Sequence, residues 1–427
     1  MSKKPRSAWA WIPTLYFAEG LPYVVIATSV LTLMYESFGL SNAQNTFLTS
    51  WLYLPWVIKP LWSPFVDILK TKRWWILTMQ LVLGIGFACV AFLLPTSFYF
   101  QATLAMFWFM AFCSATHDIA ADGFYMLGLN EEKQAFFVGI RSVFYKIATI
   151  FGEGTLVIIA GYWTNKTGNI PLAWSIVFFI ISAILLAVFL YHLFFLPKPT
   201  ADKPNNLKTA KEIFNDFIFT FVSFFKKKGI AIALIFMLLY RLGEALLVKM
   251  SPIFLKAAHE AGGLGLSLEQ VGIVRNTVGV IALTVGGILG GIAVSGKGLK
   301  FWIWIMAFCI TLPHLAYLYL SYFQPDNFIL INIAVAFEQF GYGFGFTAYM
   351  MYLIYFSAGE HKTAHYAICT GFMALGMMLP GMIAGKLQEI LGYNHFFVFV
   401  MICAIPTLAV IPFLKIEKDF GKKKKTV

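Results

Sequence analysis

The chain has 427 residues, of which 59% are hydrophobic and only 12% are charged. A soluble domain carries about 25% charged residues, so this composition excludes a soluble protein. The net charge of +12 is gathered in basic clusters between apolar runs and at the termini, which indicates membrane topology and argues against nucleic-acid binding.

Apolar runs long enough to cross a bilayer recur along the whole sequence. About twelve are found: 9–35, 45–66, 75–95, 102–127, 137–163, 173–195, 229–255, 270–295, 301–323, 328–356, 364–388 and 395–414. The sequence therefore predicts an all-α polytopic membrane protein with twelve transmembrane helices. Basic residues concentrate in the even-numbered loops, which predicts cytoplasmic N- and C-termini.

The first run carries Glu19 beside Gly20 and Pro22, which interrupt regular helix hydrogen bonding. An acid at this depth is a candidate for proton coupling or substrate binding. The loop after the second run holds Asp67, Lys72 and Arg73, for which we predict a gate that forms in one conformation and opens in another. The alternative is that the loop is only a positively charged membrane anchor.

The fourth run holds Asp118 and Asp122, which are four residues apart and so share one helix face. Two carboxylates on one face inside a membrane are candidates for proton coupling. They can equally be paired with Arg141 or Lys146 of the fifth run to form an inner gate, in which Asp122 is the more exposed member. His117 beside them is a candidate for proton handling, and simple packing is its alternative.

A polar segment at 197–228 divides the runs six and six. We predict an N-terminal half at 1–196, a cytoplasmic linker at 197–228, and a C-terminal half at 229–427 with a basic tail. The halves begin with similar motifs, YFAEGLP at Tyr16–Pro22 and YRLGEAL at Tyr240–Leu246. Two pseudo-symmetric six-helix halves joined by a basic linker are the layout of a major facilitator transporter.

The C-terminal half carries Arg241 and Glu244 in its first run and Glu338 with Tyr342 in its fourth. In the facilitator layout these runs line a central cavity. We therefore predict Glu244 as a proton-coupling residue, and Arg241, Glu338 and Tyr342 as substrate-binding residues together with Arg141 and Lys146. An internal salt bridge between Arg241 and Glu244 is the alternative. Runs three, six, nine and twelve contain no Asp, Glu, Lys or Arg in their interiors, as expected of lipid-facing helices.

Seven motifs spread over both halves resemble the AmpG-type muropeptide permeases, which are related to the acetyl-CoA transporters. They are EGLPYVV at Glu19–Val25, KPLWSPFVD at Lys59–Asp67, FCSATHDIAADGF at Phe112–Phe124, LNEEKQ at Leu129–Gln134, LLYRLGEAL at Leu238–Leu246, LEQVGIVRNTVG at Leu268–Gly279 and FEQFGYGFGFTAYM at Phe337–Met350. His117 and Glu244 depart from the family pattern, which usually has Gln and Asp at these places.

The resemblance implies a proton-coupled secondary transporter that imports anhydromuropeptides across a bacterial inner membrane as a monomer. Its partners are the glycopeptide substrate, protons and lipids, with a proton gradient as the driving force. Alternatives are uptake of another large polar solute, such as a siderophore or a CoA ester, or a membrane sensor that does not transport. No nucleotide-binding motif, metal-ligand spacing or catalytic triad occurs in the sequence, so we expect no cofactor, no metal and no enzymatic activity.

Overall fold

The computed structural model describes residues 7–129, 131–200, 202–203, 210–359 and 362–422. Helices dominate the described part, and no strand occurs within those ranges. This confirms the predicted all-α class. In the bilayer a helix satisfies its own backbone hydrogen bonds, which accounts for the absence of other regular structure.

The chain consists of two compact units. Unit 1 consists of Met1–Met34 and Ile58–Phe217, and unit 2 of Tyr35–Val57 and Ile218–Val427. The predicted domain boundaries, with a linker at 197–228, stay a prediction. The short segment Tyr35–Val57 belongs to unit 2, although it lies within the predicted N-terminal half.

The helices of unit 1 follow the order of the predicted runs. They are α1 Ile12–Ala27, α2 Ser29–Ser37, which crosses the unit boundary, α5 Ser63–Leu69, α6 Lys72–Leu93, α7 Tyr99–Gly128, α8 Glu131–Thr149, α9 Leu156–Thr167, α10 Ile170–Phe195 and the first part of α11 Ala210–Phe225. A π-helical turn, Ile150–Thr155, joins α8 to α9, and a 3₁₀ turn, Lys59–Leu61, precedes α5.

Unit 2 contains the remaining helices. They are α3 Asn42–Trp51, α4 Leu54–Ile58, α12 Ile230–Leu239, α13 Leu242–Lys256, α14 Leu268–Val271, α15 Gly279–Lys297, α16 Leu299–Thr311, α17 Leu315–Phe323, α18 Phe328–Ser357, α19 Lys362–Ile402 and α20 Ala404–Val410. A second π-helical turn, Gly272–Val278, joins α14 to α15, and a 3₁₀ turn, Leu312–His314, joins α16 to α17.

Ten stretches within the described residues are long and apolar enough to cross a membrane. The predicted second run is not among them because Pro55, Pro60 and Pro64 accompany its division into short helical pieces. The last two predicted runs form one stretch, His365–Phe413, which bends at Gly392, where φ is 70°. The predicted count of twelve therefore stays a prediction.

Small residues bring helices close together in each unit. In unit 1, Ser182 and Ser175 of α10 donate hydrogen bonds to the Gly84 and Ala91 carbonyls of α6, both at 2.7 Å. In unit 2, a Cβ on Gly290 of α15 would lie 2.5 Å from Thr347 Oγ1 of α18. Close approach allows van der Waals packing and interhelical hydrogen bonds, which hold membrane helices together because the hydrophobic effect does not act between helices in lipid.

Candidate functional site

In unit 1, Asp118 of α7 forms an ion pair with Lys59, which lies in the 3₁₀ turn before α5. The lysine side chain is 26% exposed and the aspartate side chain 17% exposed, so water screens this pair only partly. Lys59 is a residue that the sequence analysis missed. The signal was present, since Lys59 is an ionisable residue inside the second apolar run and within the KPLWSPFVD motif.

Asp122 lies one helical turn from Asp118 and has a different set of partners. Arg141 Nη1 of α8 lies 3.1 Å from Asp122 Oδ1, and the Tyr16 hydroxyl donates to the same oxygen at 3.2 Å. Arg141 also donates to the Tyr16 hydroxyl at 3.0 Å. Its guanidinium lies 4.8 Å and 5.2 Å from the ring centroids of Tyr16 and Tyr125. The arginine is therefore held by charge, hydrogen bonding and cation–π contact together.

Glu19 of α1 completes this cluster. Its side chain is buried, and it interacts electrostatically with Asp118 and Asp122. Asp118 is paired with Lys59 and Asp122 with Arg141, so Glu19 adds a third acid to a cluster that contains two cations.

His117 hydrogen-bonds to a glutamine of α6. Gln80 Nε2 of α6 lies 3.0 Å from His117 Nε2, and Gln80 Oε1 lies 3.0 Å from Nδ1 of His192 on α10. His192 Nε2 lies 2.8 Å from the Thr14 hydroxyl. These buried groups satisfy one another with both histidines neutral, and this arrangement favours the packing alternative. His117 also interacts electrostatically with Asp118, and its role in proton coupling stays a prediction.

Of the two predicted basic residues on α8, Arg141 forms an ion pair with an α7 acid, Asp122. Lys146 is half-buried and interacts electrostatically with Glu153 in the π-helical turn. Glu153 also accepts a hydrogen bond from Ser29 Oγ at 3.1 Å. The substrate-binding role predicted for Lys146 stays a prediction.

The predicted gate residues Lys72 and Arg73 lie at the start of α6. Their backbone N–H groups donate to the carboxylate of Asp202 at 2.7 Å and 3.0 Å, which satisfies donors that a helix leaves free at its first turn. Arg73 Nη2 donates to the Leu193 carbonyl near the end of α10 at 2.8 Å. The side chain of Asp67 lies outside the described residues, so a gate formed by this loop stays a prediction.

In unit 2, the predicted residues Glu244 and Glu338 come together around a residue that the sequence analysis missed, His314. Nε2 of His314 lies 3.2 Å from Glu244 Oε2, and one carboxyl oxygen of Glu338 lies within 4.8 Å of one of Glu244. Gln339 Nε2 donates to Glu338 Oε2 at 2.9 Å. Run nine contains His314 although it lacks Asp, Glu, Lys and Arg, so a search that included histidine would have found it.

Two arginines surround these acids but are anchored on hydroxyl groups. Arg275, from the π-helical turn, donates to Ser251 Oγ at 2.7 Å and to the Tyr317 hydroxyl at 3.4 Å. Arg241 donates to the Tyr342 hydroxyl, and its guanidinium lies 5.3 Å and 4.6 Å from the ring centroids of Tyr342 and Phe346. The structure thus brings together Arg241 and Tyr342, two predicted substrate residues.

One atom from each of Glu244, His314 and Glu338 lies within 4.8 Å of the others, a spacing that a metal ion could bridge. The charges do not favour such an ion, because Arg241 and Arg275 already offset the charges of the two carboxylates. A divalent cation here would leave two net positive charges in a buried site.

A sequence profile described as Major Facilitator Superfamily matches residues 14–379. The chain belongs to the major facilitator superfamily. The transporter is an integral membrane protein, as its composition predicts. Its fold is similar to the crystal structure of a mutant of the nucleoside transporter NupG, with TM-score 0.73, 15% identity, and 95% of this chain and 99% of that chain covered. A D-xylose-proton symporter has TM-score 0.71 at 13% identity, with 96% and 98% covered.

Among curated proteins, the transporter is similar to the putative transporter AmpG 4 of Rickettsia conorii, at 26% identity over 94% of both chains. It is also 26% identical to the anhydromuropeptide permease of Escherichia coli K12, over 96% of this chain and 79% of that protein. These relatives confirm the predicted resemblance to AmpG-type permeases. They span both halves, as do the seven motifs.

Proposed function

We propose that this transporter uses a proton gradient to import anhydromuropeptides into the cytoplasm. The observation that carries the substrate assignment is the near full-length similarity to a protein named anhydromuropeptide permease. On this proposal the chain is not an enzyme, needs no cofactor, and works as a monomer in a bacterial inner membrane with both termini cytoplasmic.

The arginines support a substrate of this chemistry. Anhydromuropeptides combine sugar rings with peptide carboxylates. Arg141 and Arg241 each lie on tyrosine rings within the membrane-spanning part of the chain. A guanidinium group binds a carboxylate with two parallel hydrogen bonds, and aromatic faces pack against sugars. We assign carboxylate binding to these arginines and ring contact to Tyr342 and its aromatic neighbours.

The acids of unit 1 support the coupling. A proton on Glu19 leaves one negative charge on Asp118 against Lys59, and its release leaves a second negative charge in a buried site. Such a change in net charge alters which conformation is favoured. We propose that residues 1–196 rock against residues 229–427 during transport, and that protonation of Glu19 permits the return step.

Uptake by purified protein in liposomes tests the proposal. Labelled anhydromuropeptide, a siderophore and acetyl-CoA are compared, each with and without an imposed inward proton gradient. Accumulation of the first substrate only, and only with the gradient, is expected. Accumulation of a different solute would replace the substrate, gradient-independent equilibration would remove the coupling, and the absence of any flux would favour a sensor.

A matched variant separates binding from coupling. Glu19→Gln keeps the size and hydrogen bonding of the side chain but cannot release the proton. It is expected to lose gradient-driven accumulation and to keep exchange of labelled for unlabelled substrate across the membrane. Equal loss of both activities would show that Glu19 serves binding or folding and carries no coupled proton.

A further inference from the structure

We propose that Glu244 and Glu338 hold one proton between them, with His314 as a neutral hydrogen-bond partner, and so form a second proton-binding site within unit 2. The site is distinct from the Glu19 and Asp118 carboxyl pair of unit 1. Its role in driving transport rests on the proposed function, whereas the presence of the shared proton does not.

Burial of the two acids is the first argument. Glu244 and Glu338 are each only 1% exposed, and one carboxyl oxygen of each lies within 4.8 Å of the other. Two carboxylates this close and shielded from water repel each other strongly, so one proton is retained between them. One oxygen of each glutamate, Oε1, has no hydrogen-bond partner among the described residues and is therefore available to carry this proton.

The position of His314 shows which group holds the proton. Its Nε2 faces Glu244 Oε2 at 3.2 Å, and its Nδ1 has no hydrogen-bond partner in the described part of the chain. A Cβ at Gly243 would lie 3.3 Å from this Nδ1, which places it against the backbone of α13. A charged histidine would bury an Nδ1–H donor there without an acceptor. The neutral form, with Nε2–H donating to Glu244, leaves the extra proton on the carboxyl pair.

Charged and titratable groups on several packed elements surround the Glu244 and Glu338 carboxyl groups. They are Arg241 before α13, Arg275 in the π-helical turn, His314 in the 3₁₀ turn, Tyr317 of α17, and Tyr342 of α18. With the two arginines charged, a single proton on the pair leaves the site with one net positive charge. Loss of the proton makes the site neutral.

This charge balance links the proton to the substrate. Arg241 lies on the rings of Tyr342 and Phe346 beside the acids. When the pair is protonated, the two acids and the two arginines together carry one net positive charge, which attracts an anionic group. When the proton leaves, the second carboxylate competes with that anion. Proton occupancy therefore raises affinity for an anionic substrate, and by linkage the substrate raises affinity for the proton.

Infrared spectroscopy of the purified protein tests for the proton without any transported substrate. The C=O stretch of a protonated carboxyl group is separate from carboxylate bands and shifts in D₂O. In the wild-type protein, raising the pH is expected to remove such a band. Glu338→Gln and Glu244→Gln are each expected to lack this component, and Glu153→Gln is the matched control that should retain it.

The outcomes separate the two proposals. A wild-type protein without a titrating carboxyl band, or one whose band is unchanged in both glutamine variants, overturns the shared proton. So does a stoichiometric metal, measured in the purified protein, that is lost in Glu338→Gln. Because Glu19 would contribute a carboxyl band of its own, the Glu19→Gln variant serves as the reference, and its titration decides the matter even where a glutamine variant of unit 2 does not fold. Because no substrate is present, failure of muropeptide uptake leaves this result unaffected.

Transport then tests the coupling. Glu338→Gln is expected to lower gradient-driven accumulation by roughly tenfold or more, while exchange at equal pH is retained. Loss of the infrared band together with unchanged accumulation would overturn the link between this proton and transport. It would leave the import proposal itself intact.

Discussion

In unit 1 each α7 acid lies against a cation, whereas in unit 2 Glu244 and Glu338 lie against each other. The Arg141–Asp122 pair is also partly open to solvent, with side chains 31% and 42% exposed, while Glu244 and His314 are almost fully buried. An ion pair at an exposed edge can break and re-form as a conformation changes. A buried acid pair cannot separate its charges and therefore responds by exchanging a proton.

The arginines of the two units also differ in the kind of group to which they donate hydrogen bonds. Arg141 is paired directly with an acid, whereas Arg241 and Arg275 donate to hydroxyl groups. These hydroxyl contacts hold the two guanidinium groups beside the buried acids. We therefore propose gating mainly for the Asp122 pair and proton-linked substrate binding mainly for the C-terminal cluster.

The largest effect is expected from Lys59→Met. Removing one partner of a buried pair costs about 3–5 kcal/mol, and partial exposure reduces this to roughly 1–3 kcal/mol. Thermal unfolding in detergent measures the stability. Uptake is expected to fall roughly 100-fold because Asp118 and Glu19 lose their fixed geometry.

The double variant Lys59→Met with Asp118→Asn is the control for this prediction. It removes both charges, so the thermal stability should recover while uptake stays low. Recovery of uptake in the double variant would mean that the pair only holds the fold together, and the assignment of unit 1 to coupling would then fail.

An intermediate effect is expected from replacing either aromatic-bound arginine with lysine. Arg141→Lys and Arg241→Lys keep the charge but lose the planar hydrogen-bonding group and most of the ring contact. Each should raise KM for an anionic substrate by about tenfold, or about 1.4 kcal/mol, with kcat changed less. If KM rises for Arg241→Lys but not for Arg141→Lys, the arginine that binds the substrate is the one in unit 2 and the assignment of Arg141 is wrong.

A smaller and purely structural effect is expected from Gln80→Leu. It leaves His117 and His192 without their shared partner, which costs roughly 1–3 kcal/mol for buried polar groups. Thermal unfolding should show the loss, and the pH profile of the remaining uptake should match the wild type. A shifted profile would return His117 to the list of proton-handling groups.

The sequence predicted the class, the family and the acids because each rests on local chemistry. An ionisable residue in an apolar run is costly wherever the helix lies, so Glu19, Asp118, Glu244 and Glu338 could be identified without a structure. The pairing of Asp122 with Arg141 was one of two stated alternatives. Choosing Arg141 over Lys146 required the rotation of α8, which the sequence does not specify to within one turn.

The partners of the acids, Lys59 and His314, were not predicted because a search for charged residues in regular helices does not detect them. Lys59 lies in a run that prolines divide into short pieces, and His314 is formally uncharged. The π-helical turns that carry Glu153 and Arg275 shift the helix register by one residue and have no simple sequence signature. Register shifts of this kind determine which side chains meet, so the geometry of the clusters had to come from the structure.

The smallest effect is expected from Glu153→Gln, which tests whether depth in the membrane is enough to make an acid functional. Glu153 lies in a π-helical turn and accepts from Ser29 Oγ, but it does not belong to either acid pair. The glutamine carbonyl can accept the same hydrogen bond but loses the charge that acts on Lys146, so stability should fall by no more than about 1 kcal/mol. Accumulation, exchange and their pH dependence should match the wild type. A change in pH dependence would show that a single acid can carry the coupled proton, and the contrast drawn between paired and unpaired acids would not hold.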